Sequence, residues 1–245
     1  RDERWFVLTL FAIAREMESA GKLGSRKEID LAVGLPPEHY GLLRERFAKH
    51  FKRGNVSFVY KDKPVSLTIR HVLVYPQAYA AVIPQSGELL KTLRVFVIDI
   101  GGITTDVLLL RNGKPDLQFC RSLESGVITM NNEIIGKVSA EHDMRVEDEH
   151  ISAVLLGRGT ILPEDVKRTI RTAAEAHARG ILDQLRELQV DLRTNPAIFI
   201  GGGSILFRPL LEHSSMVAQA NFETDPKANA IGYELLASRQ LRDMP

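Results

Sequence analysis

Two carboxylates, two glycines and two threonines stand together in VFVIDIGGITTDVLLL, Val95 to Leu110. Glycine between two apolar runs lets backbone N–H groups approach a ligand with no Cβ in the way. Such a cluster of N–H groups forms an anion-binding concavity. Thr104 and Thr105 add hydroxyl donors to Gly101 and Gly102. Asp99, at the end of the first apolar run, can hold Mg²⁺ through its water shell, because Mg²⁺ keeps several waters and takes few protein ligands. Carboxylate and phosphate are compatible there only if a cation offsets their repulsion. The same residues also suit a plain glycine hairpin with Asp99 and Asp106 capping its turn.

A second glycine cluster, Gly201-Gly202-Gly203, follows the apolar run AIFI and precedes a helical pattern that starts near Ser204. Bare backbone lets a flat ligand lie close, and a helix N-terminus adds partial positive charge for phosphate. Strand–glycine–helix turns also serve simply for packing. The cluster is not a dinucleotide-binding GxGxxG, since Phe207 and Arg208 occupy the place of the later glycines, and no GxxxxGK[ST] occurs.

These turns need elements to carry them. Phe6, Leu10, Ile13, Ala14 and Met17 recur at helical spacing. EIDLAVGLPP reads as a short buried strand, and PEHYGLLRERFAKHFKR as a helix with acid at its start and bases at its end. NVSFVYKD and VSLTIRHVLVYP read as strands joined by a tight turn at Lys61 to Pro64, and QAYAAVIPQSG as a short helix ending by Gly87. Val95 to Leu123 reads as three antiparallel strands, the second turn being Asn112-Gly113, a strong hairpin signal. A helix over VITMNNEIIGKVSAEH follows, then an unassigned stretch from Met144 to Leu162. Pro163 opens a long helix to about Leu192, and a last helix spans about Ala228 to Leu241. This divides the chain into residues 1–90, residues 91–228 and a closing helix at residues 229–245.

The chain has 245 residues, 44% hydrophobic and 26% charged, enough for a substantial core in one large or two ordinary domains. A formal net charge of +1 provides no global field toward nucleic acid or an anionic membrane. The single cysteine, Cys120, excludes an internal disulfide framework and a CxxC metal site, and fits a reducing compartment. The longest apolar run, Trp5 to Ala14, is about half a membrane span. A cytoplasmic location is expected. The seven histidines have no metal-ligand spacing.

The combination of DIGGITTD on a hairpin and IFIGGGSILF about a hundred residues later resembles the actin-like ATPase superfamily, which includes actins, heat-shock chaperone ATPases and sugar kinases. The first segment looks like its second phosphate loop and the second like its adenosine loop. Within the superfamily the chain is most similar to ParM/StbA-type plasmid-segregation actins, through IDLAVGLPPEHY, VLVYPQAYAAV and NFETDPKANAIGYELLA. The resemblance implies an α/β actin-like ATPase fold: two lobes of RNase H-like β-sheet plus helices, with a nucleotide cleft between them.

The resemblance also implies roles for particular residues. Asp99 would organise Mg²⁺ and the attacking water, with Gly101, Gly102, Thr104 and Thr105 around the phosphates of ATP or GTP. Gln77, which stands 22 residues before Asp99, would orient that water. Gly126 would close under the nucleotide, and Gly201, Gly202, Gly203 and Ser204 would flank its adenosine side. The long helix from Pro163 would supply ribose contacts, although Lys167 and Arg171 also suit a solvated basic face. Implied partners are further copies in a filament and a DNA-bound adaptor, without direct nucleic-acid or membrane contact.

The superfamily carries an additional N-terminal DxG hairpin that residues 1–90 lack, so a first lobe incomplete by about 70 to 90 residues is expected. Alternatives within the fold are a non-polymerising ATPase, a sugar kinase and a nucleotide-sensing regulator.

Overall fold

Phe6, Leu10, Ala14 and Met17 are all buried, so the opening segment forms a helix, α1 (Arg4–Ser19), with one stripe turned inward. The structure is a computed structural model that describes residues 3–24, 26–85 and 91–244. It divides into two units, Arg1–Pro76 with Tyr233–Pro245, and Gln77–Gly232. In the first unit α1 leads to β1 (Lys27–Leu35), α2 (Pro37–Phe51), β2 (Gly54–Tyr60) and β3 (Lys63–Pro76). The sheet order is β1-β3-β2, with β1 parallel and β2 antiparallel to β3. Lys61 and Asp62 make the β2–β3 turn at φ 47° and 61°, as a two-residue hairpin requires. Val65, Leu67 and Ile69 of β3 share a core with Phe6, Leu10 and Met17 of α1 and Phe51 of α2.

Leu31 to Leu35 is an unbroken apolar run, the pattern of a parallel strand covered on both faces. Only Leu35 of β1 is fully buried, however, and the expected buried strand is half-buried along most of its length. On α1, Trp5, Val7, Leu8 and Phe11 are exposed.

In the second unit α3 (Tyr79–Val82) runs into a 3₁₀ turn at Ile83–Gln85. The rest of the expected QAYAAVIPQSG helix, from Ser86, lies outside the described residues. Then follow β4 (Arg94–Ile100), β5 (Thr105–Arg111), β6 (Lys114–Leu123), α4 (Val127–His142), α5 (Asp148–Leu155), α6 (Glu164–Glu187), β7 (Ala197–Ile200), α7 (Gly202–Glu212) and β8 (Ala220–Phe222). The first residues of α8 (Ala228–Arg242) belong to this unit and the others to the first. The sheet order is β6-β5-β4-β7-β8, antiparallel from β6 to β4 and parallel from β4 to β8. Asn112 and Gly113, at φ 49° and 74°, form the expected β5–β6 turn.

Alternation along β4 assigns the two faces. Phe96, Ile98 and Ile100 join Val107, Leu109 and Phe199 in the larger core beneath α4 to α7. Val95 and Val97 join Leu108, Leu110, Ile198 and Ile200 beneath Ala78, Ala81 and Val82. That packing is why the unit begins at Gln77 rather than at residue 91. It ends at Gly232 rather than at residue 228 because the first turn of α8 lies against α3.

Three local readings change. Pro163 is the extended N-cap of α6 (ψ 151°) rather than its first helical residue. The helix ends at Glu187, and Gln189 turns the chain at φ 63°. Val190 and Leu192 continue the apolar pattern because they enter the core after the helix has ended. The unassigned stretch contains α5, and three-residue β8 is too short for alternation to reveal it. Among the described residues no helix is long and apolar enough to cross a membrane.

Two helical glycines should respond oppositely to the same substitution. A Cβ on Gly232 would overlap the Ala80 carbonyl and lie 2.9 Å from its Cα, so Gly232→Ala should destabilise by about 1–3 kcal/mol. Gly136 in α4 faces open space, so Gly136→Ala should stabilise by about 1 kcal/mol through helix propensity. Denaturant midpoints measure both, and a loss at Gly136 or a gain at Gly232 would contradict the packing described.

Candidate functional site

The candidate site is built where β4 and β7 end side by side. These strands are parallel, with Asp99 opposite Ile200, so both chain turns leave the same edge of the sheet. In open α/β sheets ligands bind outside such carboxyl ends. On its other side Asp99 faces Asp106 across the antiparallel ladder. Like charges directly opposite are unfavourable. Burial and then Asp106 push the Asp99 carboxyl up to about 6. Among the described residues the Asp99 carboxylate has no hydrogen-bond or ion-pair partner, whereas Asp106 accepts a 3.2 Å bond from the Thr104 hydroxyl.

The hairpin closes with the Gly101 N–H donating to the Thr104 carbonyl at 2.9 Å. The Gly102, Ile103 and Thr104 amides donate to no other group among the described residues. The hairpin carbonyls are committed to α4: the Val127 N–H donates to Gly101 O (3.1 Å) and the Ile128 N–H to Gly102 O (2.7 Å). Holding carbonyls from behind leaves the amides as the outward polarity of the turn. Gly126 makes this approach possible, since a Cβ there would lie 2.6–2.7 Å from the carbonyls of Gly102 and Gly101.

The second cluster converges on the same place. Gly201 adopts φ 85°, a left-handed conformation that favours glycine, and a Cβ on it would collide with Oδ1 of Asp99. A Cβ on Gly203 would lie 2.8 Å from the Ile100 carbonyl and from Cγ2 of Val127. Gly202 has open space around it. Ser204 is fully buried, and its hydroxyl donates to Gly201 O at 2.8 Å, so that side chain is committed to the first turn of α7. Thr105 is likewise fully buried, donating to the Ser125 carbonyl at 2.5 Å on the sheet face opposite Asp99. Asp99, Thr104 and the glycines are therefore brought together, while Thr105 and Ser204 support them through enclosed bonds.

Gln77 opens the second unit and is half-buried. The next residue, Ala78, packs with Val97 and Ile200 on the Asp99 face of the sheet. Ala78 has φ 62° and ψ −50°, close to the rare positive-φ γ-turn, and Tyr79 N–H donates to Gln77 O at 2.6 Å across it. Asn229 Oδ1 accepts the Ala78 N–H at 3.1 Å and holds the turn. Such strain in a non-glycine residue persists only where surroundings over-determine it. On α6, Lys167 is paired with Glu164 at 2.7 Å.

Three contributors were not legible in the sequence. Asn229 lies far along the chain from the turn it pins. Ser125 and His177, 52 residues apart, meet at 3.1 Å inside the second unit. No local spacing relates any of these pairs.

The fold is an α/β actin-like fold. Residues 97–213 match the family described as archaeal actin homologue MreB-like, C-terminal, and residues 1–79 match the actin-like proteins N-terminal domain. No curated protein matches the sequence. The archaeal actin homolog Ta0583 is 22% identical, with a TM-score of 0.74 over 94% of this chain and 74% of its own. Ta0583 is also known as a complex with ADP. The apo psk41 ParM protein is 16% identical, with a TM-score of 0.73 over 98% of this chain and 70% of its own. An Alp12 filament structure is 15% identical, with a TM-score of 0.67 over 93% of this chain and 74% of its own.

The unpartnered Asp99 carboxylate has a consequence for stability. Its folded pKa, about 6, lies above the ordinary aspartate value of 3.8, so the folded state binds the proton more tightly than the unfolded chain. The contribution of Asp99 to stability therefore falls as pH rises from about 4 to about 6 and is level above that. Asp99→Asn should raise the thermal midpoint at pH 7.5 in EDTA, with the advantage shrinking below pH 4. A lower midpoint for Asp99→Asn at pH 7.5 would contradict this electrostatic reading.

Proposed function

We propose that the chain is a nucleotide-dependent, filament-forming actin-like protein of the ParM type, which binds and hydrolyses Mg²⁺-ATP to drive polymerisation for plasmid DNA segregation. The observation that carries this reading is the convergence of two glycine turns and Gly126 on the end of β4, beside a carboxylate without a cationic partner. Phosphate requires donors, and the Gly102, Ile103 and Thr104 amides are available. A divalent cation requires a carboxylate, and Asp99 is held in surroundings that resist its ionisation until positive charge arrives. The residues thus fit both parts of Mg²⁺-ATP. The ADP complex of Ta0583 and the Alp12 filament support the nucleotide and the polymer respectively.

On this reading Asp99 holds the Mg²⁺ water shell, and Gly101, Gly102 and Thr104 surround the β- and γ-phosphates. Thr105 fixes the hairpin from below. Gly201, Gly202 and Gly203 give the adenosine side a surface of bare backbone, and Ser204 braces their turn. Gln77 orients the attacking water, its direction set by the Ala78 turn. A bound cation supplies charge neutralisation for the phosphates. Subunits meet one another along the filament, and a DNA-bound adaptor couples the filament to its cargo.

Right-angle light scattering and phosphate release after addition of Mg²⁺-ATP test the proposal together. Scattering should rise and phosphate release follow, and neither should occur with Asp99→Ala. Gln77→Ala should slow turnover by roughly a hundredfold or more, while ATP affinity changes only a few-fold, because a water-orienting group acts mainly in the transition state. Lost affinity with unchanged turnover would remove Gln77 from that role. Phosphate release without scattering would leave an ATPase that does not polymerise.

A further inference from the structure

A chain of hydrogen bonds, enclosed except at its Glu133 end, runs behind the glycine hairpin. Glu133 Oε2 lies 3.0 Å from His177 Nδ1, and His177 Nε2 lies 3.1 Å from Ser125 Oγ. The Ser125 carbonyl accepts the Thr105 hydroxyl at 2.5 Å. Ser125 and His177 are 7% and 8% exposed, whereas the Glu133 side chain is half exposed. A carboxylate only accepts, so Nδ1 of His177 donates to Glu133; in the neutral ring Nε2 then accepts the Ser125 hydroxyl proton. The order and distances are those of a serine–histidine–acid triad. Enclosure argues against a nucleophile, because the Ser125 hydroxyl is not presented to a substrate.

Its location gives it another use. Ser125 precedes Gly126, and the next two amides, Val127 and Ile128, grip the Gly101 and Gly102 carbonyls. Ser125 thus stands at the root of the segment that holds both hairpin carbonyls, and the hydroxyl of Thr105, the first residue of β5, ties β5 to that root. Burial leaves no water to replace a lost partner, so the Ser125–His177 bond fixes the root more firmly than an exposed bond would. Phe207 of α7 lies beside the His177 ring, with centroids 6.0 Å apart, so the helix that follows the second glycine cluster also limits its position.

We propose that His177 is a positioning residue for phosphate binding: with Glu133 selecting its tautomer, it fixes Ser125 and thereby holds the Gly126–Ile128 segment against the glycine hairpin. His177 touches neither turn directly and works through Ser125. This inference rests on the nucleotide-binding reading above only for its functional consequence. The brace itself is a property of the fold.

The test uses His177→Gln, His177→Asn, His177→Leu and Ser125→Ala. Glutamine can place a polar group near the Nε2 position and keep the Ser125 bond; asparagine reaches only toward the Nδ1 position, and leucine fills space without bonding. Ser125→Ala deletes one hydroxyl and should fold even if the leucine variant does not. Amide exchange at Val127 and Ile128 should accelerate about tenfold in the asparagine, leucine and alanine variants and stay near wild type with glutamine. Mg²⁺-ATP dissociation constants, by calorimetry, should rise by about tenfold in the same three and only two- to threefold with glutamine. Nitrogen-15 spectra of the wild-type ring should show the Nδ1–H tautomer.

An Nε2–H tautomer, unchanged exchange in all variants, or covalent labelling of Ser125 by a fluorophosphonate would overturn the brace. Failure of wild-type protein to bind Mg²⁺-ATP would instead overturn the nucleotide reading, with exchange and tautomer still deciding the brace. Faster exchange with unchanged ATP affinity would keep the brace and refute its role in phosphate binding.

Discussion

The close approach of three backbone turns at the end of β4 is the constraint on which the site depends. Side chains at Gly126, Gly201 or Gly203 would intrude on the Gly101 and Gly102 carbonyls, the Asp99 carboxylate or the Ile100 backbone. Removing Cβ at these positions lets α4 and α7 begin directly against the strand end. The α4 amides then occupy the hairpin carbonyls, and the hairpin amides remain as donors. Donor orientation here is therefore a result of packing, not of loop composition alone.

The same closeness creates an electrostatic problem. Asp99 sits opposite Asp106 and against Gly201, with no cation among the described residues to balance it. Burial and a like charge both disfavour ionisation, which is why its proton affinity rises. Such a carboxylate is costly to a resting fold and useful to a site that receives positive charge. The strained Ala78 turn beside Gln77 has the same character, with Asn229 holding a conformation that alanine by itself disfavours.

The two units treat similar strands differently. In the second unit β7 lies between β4 and β8, and all four of its residues are buried. In the first, β1 pairs only with β3 among the described residues and is mostly half-buried, despite an equally apolar run. Apolar composition thus predicts that a strand wants cover on both faces, while the neighbours present decide how much cover it receives.

The glycine hairpin, the Asn112-Gly113 turn and the strand before Gly201 were legible because short-range chemistry determines them: glycine relieves local sterics, and apolar runs mark strands. The actin-like fold was expected from the resemblance of DIGGITTD and IFIGGGSILF to the loops of that superfamily. Helix ends and β8 were less legible, since Val190 and Leu192 are apolar for a core they enter after α6 has stopped. Only the tertiary structure decided that Thr105 and Ser204 are enclosed supports, that Gly202 faces open space, and that Ser125 meets His177. Residue types determined which groups can donate, accept or carry charge. Which of them face outward together depends on contacts between distant segments, and no periodicity in the chain records those contacts.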